Sequence, residues 1–117
     1  MKKFFLSSFY FLLLLHNLTA NMSSLRWAAD VESGVPNVFF DPQNPEKITG
    51  FEYDIAKAIA NYMQKKLEFF PNDWEMLVPG LQRKQYDILL NAVEYNTWKP
   101  FIEKADVKLS KPYYITH

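Results

Sequence analysis

The chain has 117 residues, enough for one small domain, and its 13 basic and 13 acidic side chains leave no formal net charge. Because no block of basic residues is present, we expect no nucleic-acid partner. The absence of cysteine excludes a disulfide framework and a lipid-modified N-terminal cysteine. The fold must therefore be held by its hydrophobic core.

The first 20 residues predict an export signal. MKKFFLSSFYFLLLLHNLTA has two lysines, an apolar run over residues 4–15, and a polar end at Leu18, Thr19 and Ala20. The alternative is an uncleaved membrane anchor, although the run is shorter than the roughly 20 residues of a spanning helix. We expect a signal peptide at 1–20, a periplasmic domain at 21–117, and membrane contact only through this signal or anchor segment.

From Leu25 onward, strand-like and helix-like segments alternate, which is typical of βαβ units and a parallel or mixed sheet. LRWAA (25–29) predicts the first strand. Residues 30–50 are rich in glycine and proline and predict a long loop, with at most a short extended piece at 38–40. Residues 51–66 predict a helix. Its apolar stripe would comprise Ile55, Ala58, Ile59, Tyr62 and Met63.

A second strand is predicted at 67–70, followed by a short helix. Asn72 and Glu75 have the spacing of a capping box at the start of this helix. Pro79 indicates that the helix is regular only from about Met76, because proline is tolerated in a first turn.

The apolar run YDILLNAV (86–93) predicts a third strand that is buried on both faces. The remaining residues predict a loop, an irregular helical turn and an extended segment from about Val107.

Three phrases, in this order and spacing, resemble one known family. They are GFEYDIAKAIA (50–60), DWEMLVPGLQRKQYDILLN (73–91) and LSKPYY (109–114). They resemble the extracytoplasmic solute-binding proteins of amino-acid ABC transporters, the family-3 type. The resemblance implies an α/β fold: the N-terminal part of the first of two lobes, with a mostly parallel sheet flanked by helices.

The same resemblance implies a function without catalysis or cofactor. A small molecule, an amino acid in most members, is bound between two closing lobes and delivered to an ABC transporter permease. In open α/β sheets, ligands bind at loops beyond the C-terminal ends of the strands. The ligand residues are therefore expected there.

The resemblance implies ligand contacts at Asp30 and Trp74. Asp30 follows the first strand, and its carboxylate could accept from an ammonium, guanidinium or amide group of the ligand; the alternative is a cap of the following turn. Trp74 could stack on the ligand; the alternative is a core residue that covers the start of the helix.

The loop after the third strand is expected to hold the ligand's charged ends. Relatives carry there a small residue, then Ser or Thr, then an arginine that grips a carboxylate; the matching positions are Ala92, Glu94 and Lys99. Lysine keeps the charge but loses the planar fork, and Glu94 could take the α-ammonium group. An ordinary exposed lysine is the alternative for Lys99, and Asn91 could line the pocket or cap the loop.

No metal site or catalytic group is predicted. His16 lies in the signal and His117 at the terminus, so no histidine pair is available within the domain. Glu52 and Asp54 are interpreted as complementing a helix dipole. Alternatives to solute binding are a binding-like module of an exported enzyme, a sensor or permease fusion, and a truncated remnant.

Overall fold

The computed structural model describes residues 22–115, so the predicted signal segment lies outside the described residues. The strands are β1 (Ser24–Ala29), β2 (Phe39–Asp41), β3 (Asn44–Thr49), β4 (Lys66–Pro71) and β5 (Ile88–Leu89). The helices are α1 (Phe51–Tyr62), α2 (Leu77–Gln82) and α3 (Tyr95–Lys104), and single 3-10 turns cover Val31–Ser33 and Trp74–Met76. Within this part of the chain, no helix is long and apolar enough to cross a membrane.

The central sheet is parallel, with strand order β4-β1-β5. Alternate residues of β1 point to opposite faces of the sheet. Trp27 and Ala29 pack with Ala56 of α1, whereas Ala28 packs with Leu77 of α2. Helices therefore cover both faces, and the predicted α/β architecture with a parallel, helix-flanked sheet is confirmed.

Trp27 is the centre of the larger core. Its side chain is fully buried, and its ring lies 4.8 Å from that of Phe69 and 6.1 Å from that of Tyr53. The indole Nε1–H donates to the backbone oxygen of Leu90 at 3.1 Å. The same side chain thus fills the core and fixes the end of β5.

The predicted apolar stripe of α1 is confirmed at Ile55 and Ile59, which pack against the core, and wrong at Ala58, Tyr62 and Met63, which are exposed. The buried positions are Glu52, Ala56 and Ala60, whereas Tyr62 is 91% exposed and Met63 is also exposed. The two alanines let the helix approach the sheet closely. The prediction instead included the large side chains of Tyr62 and Met63, which lie at the C-terminal end of the helix.

Part of the predicted loop 30–50 forms a hairpin instead. β2 and β3 pair antiparallel, with an irregularity between Phe40 and Asp41. The sequence did not predict this hairpin because Pro42 and Pro45 are unfavourable in a strand. Pro45 is tolerated because β3 is largely exposed and has one partner strand. Gly50 follows the hairpin at φ 122°, where a Cβ would meet the backbone oxygen of Asn37 at 2.1 Å.

The capping box predicted at Asn72 does not form. Asn72 accepts from the N–H of Asp73 and donates to the oxygen of Met76. Regular helix begins at Leu77, close to the predicted start. Gly80 lets α2 lie against Tyr86, since a Cβ at this position would be 2.1 Å from the tyrosine oxygen.

The third strand is much shorter than predicted, and the last helix is longer. Pairing with β1 covers only Ile88 and Leu89, after which buried polar contacts draw the chain out of the sheet. The predicted irregular turn is a ten-residue helix, α3, although it contains Pro100. Trp98 and Ile102, four residues apart, are its half-buried and buried side chains on one face.

Candidate functional site

The C-terminal ends of the three parallel strands meet at one edge of the sheet. The N–H of Asn72 donates to the oxygen of Ala29 at 3.2 Å, and that of Leu90 donates to the oxygen of Ala28 at 3.3 Å. The segments that leave this edge, residues 30–33, 72–76 and 91–94, contain five of the six predicted ligand residues, and the last of them leads into α3, which carries Lys99. We call this region the strand-end site.

Asp30 begins the first of these segments and caps the turn that follows it. Its Oδ1 accepts from the N–H of Glu32 at 2.9 Å, as the capping alternative requires. Its Oδ2 accepts from the N–H of Trp74 at 3.0 Å. The half-buried carboxylate therefore joins the segments after β1 and β4.

Trp74 lies between the core and α3. It packs against the core cluster that contains Ala28 and Leu77, and its ring meets that of Trp98 edge-on, at 5.5 Å and 85°. It remains half-buried. Trp74 thus covers the helix start, as the core alternative requires, and also forms an aromatic pair with Trp98, while its backbone N–H contacts Asp30.

Asn91 is fully buried, and its side chain supports the loop. Its Oδ1 accepts from the N–H of Asp30 at 2.6 Å, and its Nδ2 donates to the Oγ of Ser33 at 2.6 Å. These contacts favour the capping alternative over a direct ligand contact by this side chain.

Ala92 adopts a left-handed backbone conformation with φ 51°. Its N–H donates to Oε1 of Glu52 at 2.5 Å. The Tyr113 hydroxyl donates to the same oxygen at 2.6 Å. Burial, followed by the hydrogen bond to Glu52, raises the pKa of Tyr113, which keeps its hydroxyl protonated as a donor.

Glu52 is the residue that the sequence interpretation missed. It is fully buried, although a glutamate in the first turn of a helix is usually exposed. A signal was present in the sequence, because Glu52 lies one helical turn before Ala56 on the face that meets the sheet.

Glu94 and Lys99 lie on the exposed side of the strand-end site. Oε2 of Glu94 accepts from the Thr97 hydroxyl at 2.6 Å in the first turn of α3. The Lys99 side chain is 49% exposed; its Nζ is 4.0 Å from Oε1 of Glu103 and 5.6 Å from the ring centre of Tyr95. Both side chains can reorient without disturbing the core.

Five carboxylates lie on the three segments that leave the sheet edge, and the same segments contain no lysine, arginine or histidine. The carboxylates belong to Asp30, Glu32, Asp73, Glu75 and Glu94. Over residues 22–115, no three histidine or acidic side chains cluster closely enough to hold a metal ion. The site therefore combines negative charge with aromatic side chains.

Comparison with known proteins agrees with this geometry. The model for bacterial extracellular solute-binding proteins, family 3, matches residues 27–117. The chain belongs to this family. It is 34% identical over 47 residues to the octopine-binding periplasmic protein of Rhizobium meliloti, covering 40% of this chain and 16% of that protein. It is 28% identical over 68 residues to ABC transporter arginine-binding protein 1 of Escherichia coli K12, covering 58% and 26%.

Solved structures show the same fold. A Salmonella typhimurium periplasmic binding protein with high arginine specificity has a TM-score of 0.68 and 29% identity, covering 79% of this chain and 38% of that chain. A mutant of the arginine-bound form of domain 1 from TmArgBP has a TM-score of 0.60 and 25% identity, and the match covers 67% of this chain and 59% of that chain. An ancestral cyclohexadienyl dehydratase has a TM-score of 0.55 and 32% identity, and the match covers 61% of this chain and 28% of that chain.

The chain spans between 16% and 28% of the length of the curated relatives it matches. The family membership and the predicted match to the N-terminal part of such proteins are confirmed. The ligand and transport activity of the whole protein are therefore matters for proposal.

Proposed function

We propose that the strand-end site binds an amino acid with a positively charged side chain, as the solute-recognition step of an ABC-type importer. The observation that carries this proposal is that the Asp30 carboxylate accepts from the backbone N–H of Trp74, whose ring pairs with that of Trp98. An edge with five carboxylates and no basic residue on its three segments attracts a cation and disfavours an acidic ligand side chain.

Asp30 keeps acceptor capacity for a ligand. Its two oxygens each accept one backbone N–H, and a carboxylate has about four lone-pair positions. These two bonds also fix its orientation, so little further ordering is needed on binding. A guanidinium or ammonium group at the remaining positions would form a charge-assisted hydrogen bond.

Trp74 supplies the apolar part of the site. A tryptophan ring attracts a cation over its face and packs against an aliphatic stem. The edge-on contact with Trp98 holds the ring in one orientation.

The α-ammonium and α-carboxylate groups of the ligand are assigned to the loop after β5 and to α3. We place the α-carboxylate at Lys99, whose contact with Glu103 is long enough to be exchanged. The α-ammonium group is placed at Glu94, near Ala92, and Asn91 supports this loop from below. The arginine specificity of relatives supports the assignment, and the arginine-bound form of an isolated domain 1 supports testing this chain by itself.

Calorimetric titration of the purified chain with L-arginine tests the proposal, with L-glutamine as the uncharged comparison ligand. We expect L-arginine to bind and L-glutamine to bind at least about tenfold more weakly, because a charge-assisted hydrogen bond contributes about 1.5–3 kcal/mol. Asp30→Asn should remove this preference. Trp74→Ala should weaken binding by about 1 to 3 kcal/mol through lost stacking and burial.

Tyr62→Ala is the matched aromatic control, because Tyr62 is exposed at the end of α1, away from the strand ends. It should bind L-arginine like the unchanged chain. Equal binding of L-arginine and L-glutamine, or unchanged affinity in Asp30→Asn, contradicts the cationic assignment. Unchanged affinity in Trp74→Ala removes Trp74 from the site.

We also infer that residues 1–20 direct export and are removed, leaving a periplasmic domain that binds without catalysis. The relatives named as binding proteins support the non-catalytic role, and the dehydratase neighbour is the reason to test it. The mass of the exported product tests the cleavage: loss of residues 1–20 is expected, and a full-length product associated with the membrane contradicts it.

A further inference from the structure

Glu52 is the least explained charged side chain in the described part of the molecule. It is fully buried in the first turn of α1, with both of its hydrogen-bond donors on one oxygen, Oε1. Its other oxygen, Oε2, is buried and has no hydrogen-bond partner among the described residues. Burying a charge of this kind costs free energy. Other interactions must therefore offset the burial of Glu52.

The positive end of the α1 dipole provides part of the compensation, because Glu52 is the second residue of a twelve-residue helix. The two donors on Oε1 provide a further part. They belong to segments far apart in the chain, the loop after β5 through Ala92 and the C-terminal segment after α3 through Tyr113. The ring of Tyr114 also packs on that of Phe51, at 5.6 Å, so both segments return to the start of α1.

The loop after β5 is held from two sides. Asn91 ties it to the segment after β1, through the N–H of Asp30 and the hydroxyl of Ser33. Glu52 ties it to α1 through Ala92, a non-glycine residue in the left-handed region. The contact with Glu52 is the one that directly engages this unfavourable backbone conformation.

We propose that Glu52 is a positioning residue for the strand-end site. Its buried carboxylate holds Ala92 in the left-handed conformation, and thereby sets where Glu94 and the first turn of α3 lie relative to Asp30. This role rests on the proposed function for its effect on ligand affinity, whereas its effect on the backbone of Ala92 is independent of any ligand.

Three substitutions of Glu52 distinguish the effect of its oxygen's position from the effect of its negative charge. Glu52→Ala removes both bonds. Glu52→Asp keeps a carboxylate at the helix start but withdraws it by one methylene from Ala92. Glu52→Gln keeps an oxygen where Oε1 lies and can accept from both donors, so it is the conservative variant expected to preserve the arrangement.

Ala60→Gly is the matched control. Ala60 is buried on the same face of α1, two turns further on, and glycine there weakens the helix without touching the loop. A general loss of stability should therefore affect this variant in the same way as Glu52→Ala.

The first readout is the backbone amide of Ala92 in ligand-free, 15N-labelled protein. We expect its resonance to shift and its hydrogen exchange to accelerate in Glu52→Ala and Glu52→Asp, but not in Glu52→Gln or Ala60→Gly. The second readout is calorimetric affinity for L-arginine, which should fall about tenfold or more in Glu52→Ala and Glu52→Asp and stay near the unchanged value in the other two.

An unchanged Ala92 amide in Glu52→Asp overturns the positioning role, even if Glu52→Ala does not fold. A shifted amide with unchanged L-arginine affinity also overturns it, because the loop would then be free to move without consequence for binding. If the unchanged chain does not bind L-arginine, the proposed function fails, while the amide measurement still decides whether Glu52 holds Ala92.

Discussion

Two regions of this molecule are held together by different forces. In the unit formed by β1, α1 and β4, apolar side chains around Trp27 are buried between helix and sheet. In the region from residue 90 to 115, many side chains are exposed, and buried polar contacts through Asn91 and Glu52 fix the loop. The first region provides stability, and the second places the proposed ligand groups Glu94 and Lys99.

This difference has a physical basis. Apolar burial is non-directional and tolerates small shifts, whereas a hydrogen bond to a buried carboxylate fixes an atom to within a few tenths of an ångström. A loop that must present polar groups to a ligand needs the second kind of support. We therefore expect substitutions in the two regions to separate stability from binding.

The largest expected effect on stability is that of Trp27→Ala. Trp27 is fully buried between α1 and the sheet, and its Nε1–H also holds the end of β5. The variant should lose about 3–5 kcal/mol in free energy of unfolding, measured by urea denaturation. Tyr62→Ala, with a 91% exposed ring, should change it by less than about 0.5 kcal/mol. Similar losses in both variants would contradict the assignment of the core.

A smaller, pH-dependent effect is expected at Asp87, which lies just before β5 and contacts Arg26 of β1. The hydrogen bond from the Arg26 guanidinium, with Nη2 2.9 Å from Oδ1, lowers the pKa of Asp87. A lowered folded-state pKa stabilises the fold above the unfolded-state value of about 3.9, and this contribution is lost as the pH falls through the folded-state value. Asp87→Asn should therefore lower the urea midpoint of unfolding at pH 7. Under acid conditions, its midpoint should approach that of the unsubstituted protein.

Glu46→Gln, at an exposed position of β3, is the control for removing an acidic charge. Its difference from the unchanged chain should be small at every pH. A constant deficit of Asp87→Asn from neutral to acid pH would show that the charge of Asp87 is not what stabilises this contact.

The smallest expected effect is a gain in stability from Ala92→Gly. Ala92 has φ 51°, a conformation in which glycine is not strained. We expect about 0.5–1 kcal/mol of added stability in urea denaturation. Ala58→Gly, on the exposed side of α1, should lose a similar amount, because glycine is unfavourable inside a helix. A loss in both variants would contradict the left-handed conformation of Ala92.

The sequence predicted the first of these regions well. The alternation of strand and helix signals placed β1, α1 and β4 in nearly their observed positions, because local apolar patterns determine elements that pack on a core. The predicted stripe of α1 was right at Ile55 and Ile59, but it included Tyr62 and Met63 instead of the two buried alanines, because small residues weigh less in such a pattern. Glu52 lies on the face of these two alanines, so a pattern of large apolar residues gave it no weight.

The second region was less predictable because tertiary contacts define it. The third strand stops after Leu89, where the polar bonds of Asn91 and Ala92 to distant segments draw the chain away from the sheet. None of these bonds has a periodic signal. The ligand contacts predicted for Asp30, Trp74, Asn91, Ala92, Glu94 and Lys99 remain predictions, although the structure brings the segments that carry them to one edge.

The most direct test of the strand-end site is a titration of the 15N-labelled chain with L-arginine, followed by NMR. We expect the largest shifts at the amides of Asp30, Ala92 and Glu94 and at the Trp74 indole N–H, with β3 and the end of α1 unchanged. Shifts confined to β3 or the end of α1, or none at saturating L-arginine, would contradict it.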